Sequence, residues 1–280
     1  MNNEFMRTNV GGVSLPRLII GSNWVMGYSH KSPAADCLIK EKNKDAKTIA
    51  VMLEVFLNAG INSMMAIFGG NDLLCDAIKI AEDRTGKGMI LVDTPIINMD
   101  NTAAARKEAE ETISLSRKAG SKFCLIHHSS TEQLINKNTK TMDRLPDYLS
   151  MIRDNGMIPG LSAHMPEVIV YSDLNEYDVQ TYIQLYNCMG FLMQVEVEYI
   201  HKVIWAAKKP VMTIKPMAAG RVSPFVGLTF SWHTIRPCDM VTVGCLTPQE
   251  AAEDIEISRA ALESRPPELE ALESQKDITK

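Results

Sequence analysis

The chain has 280 residues, of which 45% are hydrophobic and 22% are charged, and its formal net charge is −5 at pH 7. This composition is typical of a folded globular protein, and the length fits one large domain. Lysine and arginine are spread along the chain without forming a basic stripe, which argues against a nucleic-acid-binding surface.

The lack of a recognisable targeting signal and the spacing of the cysteines both predict a cytoplasmic protein. No apolar run approaches the ~20 residues that a membrane span needs, and the first residues lack a signal-peptide pattern. The six cysteines lie far apart and form no C-x-x-C pair, so we expect reduced thiols.

Short apolar runs alternate with helix-period segments along the whole chain, which is typical of repeated βα units. Eight such pairs predict an α/β protein with the (β/α)8 TIM-barrel fold, which needs about 250 residues. The predicted strands cover residues 15–23, 61–67, 88–94, 123–128, 157–164, 182–187, 210–216 and 240–245. The predicted helices cover 45–59, 71–84, 102–119, 141–155, 166–173, 193–209, 224–235 and 247–264.

Capping residues support these boundaries. N-caps are predicted at Asp45, Asn71 and Thr247, and left-handed C-terminal glycines at Gly60, Gly120 and Gly156. A doubly wound sheet is the alternative, but GSNWVMG at 21–27 is not the G-x-G-x-x-G turn of that fold. The barrel is expected to span residues 1–264, followed by a polar tail over 265–280.

Several segments carry a family resemblance. VSLPRLIIGSNWVMG resembles the opening strand of the aldo-keto reductases, and FLNAGINSMMAIFGGNDLLCDAIK at 56–79 resembles the segment that carries two of that family's catalytic residues. IKPMAAGRVSP and DMVTVGCLTPQEAAEDIEISRAAL are similar to segments of its divergent bacterial branches. The resemblance implies a barrel enzyme related to proteins that reduce carbonyls with NAD(P)H.

The resemblance also implies that the family's catalytic proton relay is degenerate here. Its aspartate position falls on Met65 or Met64, its tyrosine on Phe68 and its lysine on Pro95, and only its histidine is kept, as His127. Without the tyrosine, the general-acid step, commonly worth about 10² to 10⁴ in rate, has no donor at its usual place. We therefore expect a non-reductase reaction, by a lyase, isomerase or hydrolase, on a small polar or sugar-like substrate.

A metal site is predicted from strand alternation. Residues two apart on a strand share a face, so Asp93, His127 and His164 are expected to converge from neighbouring strands. A carboxylate and two imidazoles suit Zn²⁺, Mn²⁺ or Fe²⁺, which would polarise a carbonyl or activate a water. The alternative is a one-residue error in register, as His128 beside His127 illustrates, and then the convergence is accidental.

Lys215 ends the seventh predicted strand. It is expected to hold an anionic or hydroxylated substrate, or to act as a general base if burial lowers its pKa. The alternative is a salt bridge with Asp93 across the pocket.

A bound dinucleotide is the second functional hypothesis, with NAD(H) as cofactor and a histidine replacing the missing tyrosine as donor. Loops after the last two strands of a barrel commonly bind phosphate, although the glycines there could simply allow turns. The candidate cofactor residues are Ser162, Gln184, Tyr186, Gly220, Arg221, Gly244 and Thr247. A third hypothesis is a non-catalytic barrel that binds a ligand or a partner; the sequence leaves the oligomeric state open.

Overall fold

Eight parallel strands close into a barrel in the computed structural model, which describes residues 4–270. The strands of the chain are β1 (Arg7–Val10), β2 (Val13–Pro16), β3 (Leu18–Gly21), β4 (Ser63–Ala66), β5 (Ile90–Asp93), β6 (Phe123–Ile126), β7 (Ile135–Asn136), β8 (Thr141–Met142), β9 (Ile158–Ala163), β10 (Tyr182–Leu185), β11 (Val211–Ile214) and β12 (Met240–Val243). The barrel order is β3-β4-β5-β6-β9-β10-β11-β12, with β12 pairing back to β3. The predicted TIM barrel is confirmed.

Helices surround the barrel on the outside. They are α1 (Asn23–Met26), α2 (Pro33–Lys42), α3 (Ala46–Asn58), α4 (Asp72–Thr85), α5 (Ala103–Lys118), α6 (His128–Thr131), α7 (Leu145–Asp154), α8 (Glu167–Leu174), α9 (Val197–Ala206), α10 (Pro224–Thr234) and α11 (Pro248–Glu263). All eight predicted helices are present, within a few residues of the expected bounds. The helices α1, α2 and α6 were not predicted.

The expected caps explain where the helices begin and end. Asp45, Asn71 and Thr247 each accept a hydrogen bond from a first-turn backbone N–H, which satisfies a donor that the helix itself leaves free. Gly60 and Gly120 adopt left-handed φ angles of 80° and 86°, which reverse the chain toward the next strand.

Apolar side chains fill the barrel interior below its mouth. One cluster contains alternate strand residues such as Ile19, Val92, Leu125 and Met240. The intervening residues, such as Ile20, pack outward against the helices in a second and larger cluster. This alternation leaves the upper strand ends as the place where polar side chains can enter the interior.

A hairpin of β1 and β2 closes the opposite end of the barrel. Val10 and Leu15 from this hairpin belong to the interior cluster and are fully buried. Gly11 at the turn has a φ of 56° and lies close to the Ile158 side chain, where a Cβ would approach to 3.0 Å. The N-terminal end of the barrel is therefore plugged by the chain's own first strands.

Residues 22–43 lie between β3 and α3 and form a segment that we call the lid. Its two helices are held in place by polar contacts: Ser29 Oγ donates to Asp36 Oδ1, and the Asn43 side chain donates to the carbonyl oxygens of Trp24 and Val25. The lid also supplies side chains to the mouth of the barrel.

The described part of the predicted tail lies against α11. Arg265 pairs with Glu256 at 2.6 Å, and the backbone N–H of Glu268 donates to the same carboxylate at 2.9 Å. Residues 271–280 lie outside the described residues. Within residues 4–270, no helix combines the length and apolar character that crossing a bilayer requires, and the six cysteines are free thiols.

Candidate functional site

A cleft of about 1350 Å³ opens at the carboxyl ends of the barrel strands. The apolar barrel interior lies beneath the cleft, and the strand ends and the lid form its walls. Strand-end residues in its wall include Met65, Thr94, His127, Ser162, Ile183 and Thr242. In barrels this face carries the chemistry, because every strand delivers its last residues there.

Three imidazoles form a row on one wall of the cleft. His127 follows β6, His128 begins α6 and His164 follows β9. The ring centroids of His127 and His128 are 4.2 Å apart, and those of His128 and His164 are 3.7 Å apart with planes only 16° from parallel. We call these residues the histidine row.

Glu132 anchors the histidine row from behind. Its Oε1 accepts the backbone N–H groups of His164 and Met165 at 2.5 and 2.9 Å, and its Oε2 lies 3.9 Å from His128 Nδ1. Burial alone would raise the pKa of Glu132, but these interactions outweigh it and lower the pKa. The carboxylate thus stays charged and joins the end of β9 to the helix that follows β6.

The two outer histidines of the row are neutral at pH 7. Burial, followed by the neighbouring His128, lowers the pKa values of His127 and His164 to about 4. His127 Nδ1 accepts the backbone N–H of Ser129 at 3.3 Å. In the neutral ring, the proton is therefore assigned to Nε2, and His127 can donate it to a ligand oxygen.

Lys215 enters the cleft from the end of β11. Its backbone is left-handed with a φ of 61°, a conformation that costs a non-glycine residue about 1 kcal/mol. Its Nζ lies 2.9 Å from His30 Nε2, which Asn23 Nδ2 also contacts at 3.1 Å. Burial lowers the pKa of Lys215 to about 8. Within the described residues no carboxylate pairs with this amine, so the expected alternative of a salt bridge with Asp93 is wrong.

Arg221 contacts the lid through its guanidinium. Its guanidinium lies 4.0 Å from the centroid of the Phe191 ring and donates to the backbone oxygen of His30 at 3.3 Å. Burial, and then the charge of Lys215, lower the pKa of His30. The lid imidazole is thus held against the Lys215 amine in its neutral form.

Basic and acidic side chains lie in different parts of the cleft wall. Lys31 and Arg221 lie on the lid side of the cleft, whereas Glu250, Glu253 and Asp254 of α11 lie in the wall next to β12. Burial raises the pKa of Asp254 to about 7, and the Cys245 thiol donates to its Oδ2 at 3.2 Å. The cleft therefore offers both cations and acids to a polar molecule.

The architecture is shared with known enzymes, although no family model and no curated protein matches the sequence. The Pseudomonas aeruginosa protein PA4992, named as an aldo-keto reductase, is 16% identical over 94% of this chain and 98% of its own, with a TM-score of 0.65. The glycerol dehydrogenase AKR11B4 from Gluconobacter oxydans is 10% identical over 98% of this chain and 96% of its own, with a TM-score of 0.61. The chain shares the (β/α)8 fold of these proteins.

Other barrels also match. The dimeric archaeal Rubisco from Hyperthermus butylicus is 11% identical over 92% of this chain and 62% of its own, with a TM-score of 0.55. Part of the likeness to the aldo-keto reductase fold is thus common to (β/α)8 barrels, and the chemistry must be argued from the cleft itself.

The three positions matched to the missing catalytic residues of the aldo-keto reductase family lie in different places. Met65 lines the cleft, whereas Phe68 is fully buried and absent from its wall. Pro95 is buried, and its carbonyl oxygen accepts the backbone N–H of His127. The assignment of these residues to the family's relay stays a prediction.

The predicted metal site is wrong. Val92 belongs to the interior cluster and Thr94 lines the cleft, so Asp93 between them points outward. Its Oδ1 accepts the Phe68 N–H at 3.2 Å, and burial raises its pKa. Within residues 4–270, no group of three or more histidine, cysteine, aspartate or glutamate residues is arranged to hold a metal ion.

Gln184 of β10 and Tyr186, which follows that strand, do not line the cleft, so their predicted place in the cofactor site is also wrong. Ile183 lines the cleft, whereas Gln184 donates to the backbone oxygens of His164 and Leu185. Tyr186 is 1% exposed and packs against Phe230 of α10 with ring centroids 5.2 Å apart.

Of the remaining cofactor candidates, four line the cleft and one does not. Ser162, Gly220, Arg221 and Gly244 line the cleft as expected, whereas Thr247 is used as the N-cap of α11 and is absent from the wall. A role for the four cleft residues in binding a dinucleotide stays a prediction.

Proposed function

We propose that this chain is a member of the aldo-keto reductase superfamily that catalyses proton transfer on a small polar carbonyl compound, as an isomerase or lyase, without reducing it. One observation carries the proposal: neutral imidazoles and a basic amine share a single cleft. His127, His164 and Lys215 all line this cleft.

The roles follow from the protonation states. His127 Nε2–H donates to the carbonyl oxygen, which makes the neighbouring C–H more acidic. Lys215, in its neutral form, takes that proton, and His30 at 2.9 Å accepts or returns one. General acid–base catalysis of this kind contributes about 10² to 10⁴ in rate. The proposal needs neither a metal nor the family's tyrosine.

The rim favours a hydroxylated or anionic substrate. Lys31 and Arg221 lie at one side of the cleft, and Glu250 and Glu253 lie in another part of the wall. Cations there would bind a carboxylate or phosphate, while the acids would accept hydrogen bonds from hydroxyl groups. A sugar-like molecule has both kinds of group.

Solvent exchange tests this proposal without knowledge of the product. The protein is incubated in D₂O with dihydroxyacetone, glyceraldehyde and their phosphates, and loss of the α-proton signal is followed by NMR. We expect catalysed exchange with at least one compound and a loss of about 10²-fold or more in His127→Ala. His233→Ala, at an exposed histidine of α10, is the matched control. Equal exchange in His127→Ala and the control would overturn the proposal.

An NAD(H)-dependent oxidoreductase is the second candidate function. The size of the cleft and the four lining residues Ser162, Gly220, Arg221 and Gly244 favour it. Titration with NADH and with NADPH, followed by fluorescence, tests it directly. Saturable binding of NADH that weakens in Arg221→Ala would support this candidate, whereas no binding of either nucleotide at millimolar concentration would exclude it. Ligand binding without exchange or reduction would instead favour the non-catalytic barrel.

A further inference from the structure

The amine of Lys215 is placed unlike that of an ordinary surface lysine. It lies half-buried at a strand end in the cleft wall, and within residues 4–270 no carboxylate pairs with it. Its near neighbour is instead the imidazole of His30, at 2.9 Å. By contrast, Lys107 on α5 is 78% exposed and sits near Glu111, which is the usual situation for a lysine.

Such a setting suits a nucleophile. Only the neutral amine has the lone pair that attacks carbon, and burial with no compensating anion favours the neutral form. A pKa of about 8 leaves roughly a tenth of the Lys215 amine neutral at pH 7. An ordinary lysine with a pKa near 10.4 is neutral there in less than about one molecule in a thousand.

A second requirement is a group that moves protons beside the amine. Attack on a carbonyl gives a carbinolamine, which loses water only when its hydroxyl is protonated and its nitrogen is deprotonated. His30 Nε2 is within hydrogen-bond distance of Nζ, and Asn23 contacts the same nitrogen at 3.1 Å. The amine, the imidazole and the open cleft are therefore together at one place.

We propose that Lys215 forms a covalent imine with the carbonyl carbon of an aldehyde or ketone substrate. The inference rests on the proposed function only in taking the substrate to be a carbonyl compound. The Nζ lone pair forms the C–N bond, and the π electrons of the C=O bond move to oxygen, which takes up a proton. The proton on that oxygen comes from the amine, and the second amine proton joins it as water leaves and the nitrogen lone pair forms the C=N bond, with His30 relaying both protons. Uptake of one solvent proton at the nitrogen then gives the protonated imine.

The protonated imine accounts for chemistry that the rest of the cleft lacks. It withdraws electrons from the adjacent carbon, as a metal or a strong acid on the carbonyl oxygen would. With the amine committed to the imine, the neutral imidazole of His164 is left as the base that removes the neighbouring proton. His164, with a pKa of about 4, keeps a free ring lone pair for this at pH 7.

Reductive trapping tests the inference on the intact protein. The full chain is incubated with dihydroxyacetone at about pH 7, treated with cyanoborohydride, digested and mapped by mass spectrometry. We expect Lys215 to carry the reduced adduct about 100-fold or more ahead of Lys107, because the ratio of neutral amine sets the ratio of labelling. The labelling of Lys215 should rise with pH with a midpoint near 8.

Further outcomes separate this inference from the proposed function. Lys107→Met should leave the adduct at Lys215, whereas Lys215→Met should abolish it. Labelling of Lys215 no faster than Lys107 overturns the inference, even if deuterium exchange shows that the amine acts as a base. Trapping at Lys215 in a protein that catalyses no exchange supports the inference and overturns the proposed function instead.

Discussion

Replacement of His164 by glutamine should change the acid stability of the protein in a measurable way. The pKa of His164 is about 4 in the folded protein and near 6.5 in the unfolded chain. Between these values the unfolded state binds more protons, so this histidine makes stability fall as the pH falls from about 6.5 to about 4. Glutamine keeps much of the volume and removes the titration.

The magnitude follows from the same two pKa values. If the whole pKa difference is coupled to unfolding, lowering the pH from about 7.5 to about 5 reduces the unfolding free energy by about 2 kcal/mol. Because the ring is half-buried, solvent screening lowers our expectation to about 1 kcal/mol. Asp254 works in the opposite direction, since its pKa of about 7 makes stability fall as the pH rises from about 4 to about 7.

The difference between variant and parent isolates the histidine from this opposing carboxyl. Urea unfolding at the two pH values gives four free energies, and the parent should lose about 1 kcal/mol more than His164→Gln on acidification. His233→Gln, at an exposed histidine of α10, should lose as much as the parent. An equal loss in His164→Gln and in the parent would refute the burial of a neutral imidazole in the row.

Two further substitutions test the packing that supports the cleft. Asp239→Asn should lower stability by about 3 kcal/mol in thermal unfolding, because the buried carboxylate pairs with Arg236 at 2.7 Å. Asp178→Asn, at a carboxylate that is 58% exposed, should cost less than about 1 kcal/mol, and equal losses would contradict this reasoning. Gly160→Ala should lower the unfolding free energy by about 3 kcal/mol, because the added Cβ would lie 2.6 Å from Leu125 Cγ inside the barrel. An unchanged melting temperature would show that the neighbouring side chains can move to make room for it.

The fold could be read from the sequence because each βα unit carries local signals. Asp45 and Thr247 cap their helices as expected, and apolar runs mark all eight barrel strands. The hairpin of β1 and β2 was missed because its four-residue strands are too short to show a period. The lid helix α2 was missed because Ile39 is its one buried residue, which leaves no apolar stripe in the sequence.

The site was harder, because a barrel strand is buried on both faces. Ile90, Leu91 and Val92 are all apolar, so nothing in β5 reveals which side Asp93 faces, and a one-residue error turns the side chain outward. His127 and His164 were placed correctly at the mouth. Glu132 was missed, although an acid four residues after His128 at a helix start was a usable signal.

The described barrel is open to a ligand only at the carboxyl ends of its strands. Apolar side chains fill the barrel interior and Val10 and Leu15 close its far end, so the described barrel has no second opening for a ligand. A substrate and its product must therefore use the same mouth in turn, past the lid that Arg221 fastens. Product should accordingly compete with substrate for the free protein, and product release would limit turnover whenever the chemical step is fast.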